Sequence, residues 1–102
     1  MTSSQYQSYG HYETVAASQT DQALGAVGAT GDFLERLVIV VATAATAATS
    51  IKDGSTSISI LPNSPGGGIG VYDVELNMVS KNGAWSVTTG AGSSVIAVGR
   101  FS

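Results

Sequence analysis

The chain has 102 residues and no cysteine, so disulfides and thiolate metal sites are excluded. It has one histidine, His11, which is too few for a multi-histidine metal centre. Charge is sparse: 11% of residues, against about a quarter in typical soluble domains. The four cations, Arg36, Lys52, Lys81 and Arg100, are scattered, and the net charge is −3. Nucleic-acid binding wants a basic face, and none can be built from these residues. A membrane span is also missing. The longest apolar-leaning run, 37–48, is interrupted by Thr43 and Thr46 and falls short of the ~20 residues needed. The N-terminal stretch lacks the basic region and apolar segment of a signal peptide, so a soluble protein made in the cytoplasm is expected.

What is present divides near Gly31. Residues 1–30 are polar and rich in Tyr, Gln and Ser, without apolar periodicity, whereas residues 31–102 carry Val/Ile/Thr runs punctuated by glycine. The division predicts an extended arm over 1–30 and a β domain over 31–102. A body of about 70 residues buries only about 60% of its unfolded surface and is marginal alone. Without disulfide or metal, oligomerisation is the remaining stabiliser. A surface poor in charge and rich in Ser, Thr, Ala and Gly suits a protein covered in an assembly; the other reading is an exported module that simply lacks charge.

Within the arm, Tyr6, Tyr9 and Tyr12 recur every three residues around His11. A tyrosine ring suits a surface that is apolar yet partly wet. The four residues form a candidate protein-interface set that anchors the arm on a neighbouring subunit; the alternative is a solvated low-complexity tail. Gly25, Gly28 and Gly31 do not make a dinucleotide fingerprint, because no helix follows them. They mark turns and close backbone approach, with 23–27 a possible first strand.

The densest strand signal is 32–42, whose 37–41 portion is apolar on both faces and so predicts a central strand covered on both sides. The segment 42–50 has threonine every third residue and is open between helix, strand and loop. An Asp53-Gly54 turn leads to alternating 56–61, with Ile58 and Ile60 on one face. Residues 62–70, rich in Pro and Gly, predict a long loop. In 71–80, Tyr72, Val74, Leu76 and Met78 point one way, and Asp73, Glu75 and Asn77 the other. Asn82-Gly83 reads as a hairpin turn into 84–89, with Trp85 and Val87 inward, and 94–101 is a second two-faced strand. Five to seven strands with frequent turns predict an all-β fold, an antiparallel β-sandwich of jelly-roll type or a small barrel.

Enzymatic chemistry finds no support. A Ser-His-Asp arrangement would place His11 on an unanchored arm. Asp73 and Glu75 lie about 7 Å apart on one strand face, but no aromatic platform for a sugar adjoins them. Asp32 and Glu35 beside Arg36 read as local ion pairs. No calcium loop and no phosphate loop occurs. No catalytic residue, cofactor or metal is expected.

The stretch 32–101, above all NGAWSVTTGAGSSVIAVGRF at 82–101, resembles small virion proteins of tailed bacteriophages, the head decoration or cement proteins. The resemblance covers about two thirds of the chain. It rests on the hairpin signal, the Trp, the TTGAG turn and the terminal GRF, and it carries no site residue across. It implies an outer capsid protein of the virion, with a jelly-roll or related β fold. The expected partners are other copies of itself in a homotrimer and the major capsid protein, with neither nucleic acid nor membrane. The rival reading is a tail or fibre module that binds host-surface carbohydrate and would expose aromatics on its β face.

Overall fold

The computed structural model describes residues 11–43, 48–61 and 69–102. Among them are eight strands and no helix: β1 (His11–Val15), β2 (Gln22–Ala23), β3 (Phe33–Val41), β4 (Thr49–Asp53), β5 (Thr56–Leu61), β6 (Gly70–Val79), β7 (Trp85–Thr88) and β8 (Ser93–Arg100). They form two antiparallel four-stranded sheets. The first runs β1-β8-β3-β6 and the second β2-β7-β4-β5.

Alternation in the sequence decides what each strand buries. In β8, Ser93, Val95, Ala97 and Gly99 are buried while their neighbours are half-buried or exposed. Strand β3 begins with Leu34 inward and continues with Leu37, Ile39 and Val41 inward. The change of phase falls at a bulge between Leu34 and Arg36, where the register shifts against both β6 and β8. With Val15, Leu24, Ile51, Trp85 and Val87 these side chains make one core between the sheets. Trp85 is 1% exposed, and its indole Nε1 donates to the Asp32 carbonyl at 2.9 Å. The inward placement of Trp85 and Val87 therefore holds, as does the alternation of β6.

Several expectations are corrected. The described residues hold eight strands, and the first of these is β1 rather than 23–27. The sandwich also takes in part of the expected arm: β1 pairs with β8, and Val15 and Leu24 are fully buried. Described residues before Gly31 thus take part in the packing. His11 and Tyr12 open β1, opposite Gly99 and Val98; Tyr6 and Tyr9 lie outside the described residues. The first signal of the missed strand was Val15 itself, a single apolar residue that pattern reading passes over.

Asn82-Gly83 is not a hairpin, because β6 and β7 lie in different sheets. A type I′ turn needs positive φ at both central residues, and neither Asn82 nor Gly83 has it. The Asp53 carboxylate instead accepts from the backbone N–H groups of Lys81 (3.1 Å) and Asn82 (3.0 Å) and turns the chain from one sheet to the other. Burial raises the affinity of this carboxyl for its proton, but the N–H groups of Asn82, Lys81 and Gly83 outweigh that and hold it below the ordinary carboxylate range. The true hairpin joins β4 to β5 through Gly54, at φ 63°, and Ser55. Asp32 is likewise not an ion-pair partner of Arg36. It is buried, and its carboxylate accepts from the N–H of Ala29 and from the N–H and hydroxyl of Ser102. Gly25, at φ +90°, lies where a Cβ would strike the Ser102 carbonyl, so the last strand's exit and the 24–28 turn are locked together.

Candidate docking face

The two-faced apolarity of β3 and β8 meets only half of its expected cover. Strand β3 is internal to its sheet, between β8 and β6. One face packs into the core. No other layer among the described residues covers the opposite face.

Registers place the outward side chains of this first sheet in rows. Tyr12 stands beside Val98, Val98 beside Arg36, and Arg36 beside Glu75. In the next row Thr14, Ile96, Val38 and Asp73 adjoin in order, and Ser94, Val40 and Val71 make a third. Six of these are apolar or aromatic: Tyr12, Val98, Ile96, Val38, Val40 and Val71. Tyr12 is 67% and Val71 66% exposed, and the four valine and isoleucine side chains between them are half-buried by one another. Strand spacing makes the grid roughly 14 Å across and 13 Å along the strands, a contiguous patch of a few hundred Å² with its side chains. Patches of that size on a small soluble protein mark interaction surfaces.

The charges sit at one side of the grid. Arg36 bonds Asp73 at 3.3 Å and Glu35 at 3.5 Å, all three partly exposed. The guanidinium is thus oriented along the patch, with its Nε buried and without a hydrogen-bond partner. An apolar centre with a polar rim is the anatomy of a protein-docking surface.

The second sheet has a different outer face. Ala23, Ser86, Lys52 and Ser57 adjoin in one row, and Thr88, Ser50 and Ser59 in another. Asp21 closes this surface on itself, accepting from Lys52 Nζ at 3.0 Å and from the Thr88 hydroxyl at 3.1 Å. These two hydrogen bonds, Lys52's first, lower the proton affinity of the Asp21 carboxyl against a small burial effect.

Chemistry-bearing groups do not converge elsewhere. Among the described residues no three His, Asp or Glu side chains could hold a metal ion together. A cleft of about 330 Å³ lies between Gly31, Asp32, Phe33, Arg100, Phe101 and Ser102, but the Asp32 carboxylate there is engaged by Ala29 and Ser102. Asp73 and Glu75 are exposed, as alternation implied. No family model, curated protein or solved structure matches the chain. Tyr12 apart, the residues of the docking face were missed as a site in the sequence, although the two-faced runs at 37–41 and 94–101 carried their signal.

Proposed function

We propose that the chain is a virion structural protein: a decoration or cement protein that seats the outer face of its first sheet on the major capsid protein of a tailed-phage head, as a homotrimer. The observation that carries this reading is the apolar grid of Tyr12, Val38, Val40, Val71, Ile96 and Val98 on a sheet face that nothing in the described chain covers. A standard interface takes about 800 Å² from each partner. The grid supplies its dry centre, and Arg36, Asp73, Glu75 and Thr14 its rim.

The strand orders support a jelly roll. Successive strands alternate between the sheets except at the β4–β5 hairpin, which gives the 1-8-3-6 and 2-7-4-5 pattern of paired Greek keys. Capsid and lectin domains share that architecture, so fold alone does not decide the function. The segment 82–101, which resembles small virion proteins, contributes Ile96 and Val98 to the grid. His11 and Tyr12 open the edge strand of the same sheet, and lateral anchoring beside the grid is the role this reading gives Tyr6, Tyr9, His11 and Tyr12.

The carbohydrate-binding alternative keeps one observation, the exposed ring of Tyr12. A sugar platform would be stronger with a second ring, and Trp85 is buried in the core.

Co-sedimentation of the purified chain with phage heads lacking it tests the proposal. Saturable binding at a fixed copy number per head is the expected result. No binding to heads, with retention on a glycan array, would overturn it in favour of the alternative.

A further inference from the structure

The two flanks of the sandwich are closed to different degrees. Strands β1 and β2 share one flank, joined by the hydrogen bond from Gln22 Nε2 to the Thr14 carbonyl and by that from the Gly25 N–H to the Glu13 carboxylate. The core residues there, Val15 and Leu24, are fully buried. Because the sheet orders run in step from this flank, β6 and β5 share the opposite one. The side chains pointing inward there, Ile58, Ile60, Leu61, Val74, Leu76 and Met78, reach the core but stay only partly buried.

The edges of the open flank say what kind of group covers it. Among the described residues both β5 and β6 have a sheet neighbour on one side only, so each presents a row of backbone N–H and C=O groups. Strand β6 is guarded by Asp73, Glu75 and an irregularity at Asn77, which has φ 51°. Strand β5, TSISIL, has no charge, proline or glycine of the kind that protects free edges, and no described residue covers its edge in the ladder. An unguarded edge of this kind is matched by another β-strand, and β5 itself carries no charge to repel a like copy. The flank runs about 20 Å along β5 and about 33 Å along β6, with about 10 Å between the sheets; with the edge strands it reaches roughly 500 Å², the larger part of the ~800 Å² that a stable interface takes from each partner.

We infer that the β5–β6 flank is the surface through which copies of this chain associate, the flanks converging on the symmetry axis and pooling Ile58, Ile60, Leu61, Val74, Leu76 and Met78 in one axial seam. The inference rests on the oligomer assumed in the proposed function and adds where its subunits meet. It leaves the outer face of the first sheet free for the particle, because that face lies on a different side of each subunit.

Spin labels test this on the full chain, in which an introduced cysteine is the only one. Ser59→Cys lies on β5 and Ala23→Cys on β2, both exposed and both in the same sheet. Inter-subunit distances measured by pulsed electron resonance should be short for Ser59→Cys and longer for Ala23→Cys by on the order of 25 Å, given a sheet about 14 Å wide. The reverse order would overturn the inference, as would a monomer of either labelled protein in light scattering. A failure here leaves head binding of the same proteins to be scored separately. An oligomer joined at the other flank that still binds heads refutes the inference alone; a correctly joined oligomer that ignores heads refutes the function alone.

Discussion

The outer faces of the two sheets are built from strands of the same alternating type, yet they have opposite chemistry. On the second sheet the outward positions are Ser50, Ser57, Ser59, Ser86, Thr88 and Lys52, and Asp21 satisfies the cation from within the chain. On the first sheet the outward positions of the inner strands include Val38, Val40, Ile96 and Val98, with Arg36 and Ser94 beside them. A two-layer sandwich needs only one apolar face per sheet. The second sheet obeys that rule; the first exceeds it. Surplus apolarity on one sheet alone, in register across three strands, points to a partner rather than to stability.

Four perturbations sharpen that contrast, in falling order of effect. Trp85→Ala removes the largest core side chain and its bond to Asp32, at a cost of about 3 to 5 kcal/mol. That is comparable to the whole stability of a small domain, so both sheets should be lost together in the far-ultraviolet circular dichroism at 25 °C. A retained native spectrum would mean that the sheets do not depend on one shared core.

Ile96→Asp places a charge at the centre of the first sheet's outer face. It should weaken binding to heads by about 30-fold or more, the loss of a central contact worth at least 2 kcal/mol, with thermal stability little altered. Ser86→Asp, the matched change on the second sheet, should leave occupancy unchanged. Equal losses from the two variants would erase the distinction between the faces.

Asp53→Asn should lower stability by about 1 to 3 kcal/mol, because the carboxylate holds the Lys81 and Asn82 N–H groups at the corner between the sheets. The sign of the pH effect follows from a carboxyl held below its ordinary value. Its contribution is complete above the unfolded pKa of about 4 and is lost as pH falls through the lower folded value. Urea midpoints across the acid range should therefore fall less steeply for Asp53→Asn than for the native chain. Equal slopes would remove Asp53 from the acid response.

Lys52→Ala, on the polar face, breaks only the exposed pair with Asp21. Ion pairs of this kind contribute little, and no measurable change in melting temperature or head binding is expected.

How much of this was legible in the sequence differs by region. Period-2 alternation in β6 and β7 gave their inward sides directly, because each strand keeps one phase. The partner of each strand was not legible. Asn82-Gly83 is a strong local hairpin signal, but Asp53, about 30 positions earlier, takes the N–H groups that the turn leaves free. Strand β1 was hidden for a related reason: HYETV carries little hydrophobicity and is held chiefly by its ladder with β8. The docking face lay half in view. The double apolarity of 37–41 and 94–101 was evident, but cover within the chain was the simpler expectation. Only the register, which sets Tyr12, Val98, Ile96, Val38, Val40 and Val71 side by side, turns separate residues into a surface.

Carboxyl footprinting compares the two faces with a single chemistry. Asp73 and Glu75 rim the first sheet's outer face and Asp21 lies on the second, all exposed in the free protein. Carbodiimide labelling of the native chain, free and bound to heads, followed by mass spectrometry of the peptides, reads each carboxylate separately. Seating of the first sheet predicts a several-fold drop in labelling of Asp73 and Glu75 on the head, with Asp21 unchanged. Protection of Asp21 with Asp73 and Glu75 still fully labelled would contradict the account.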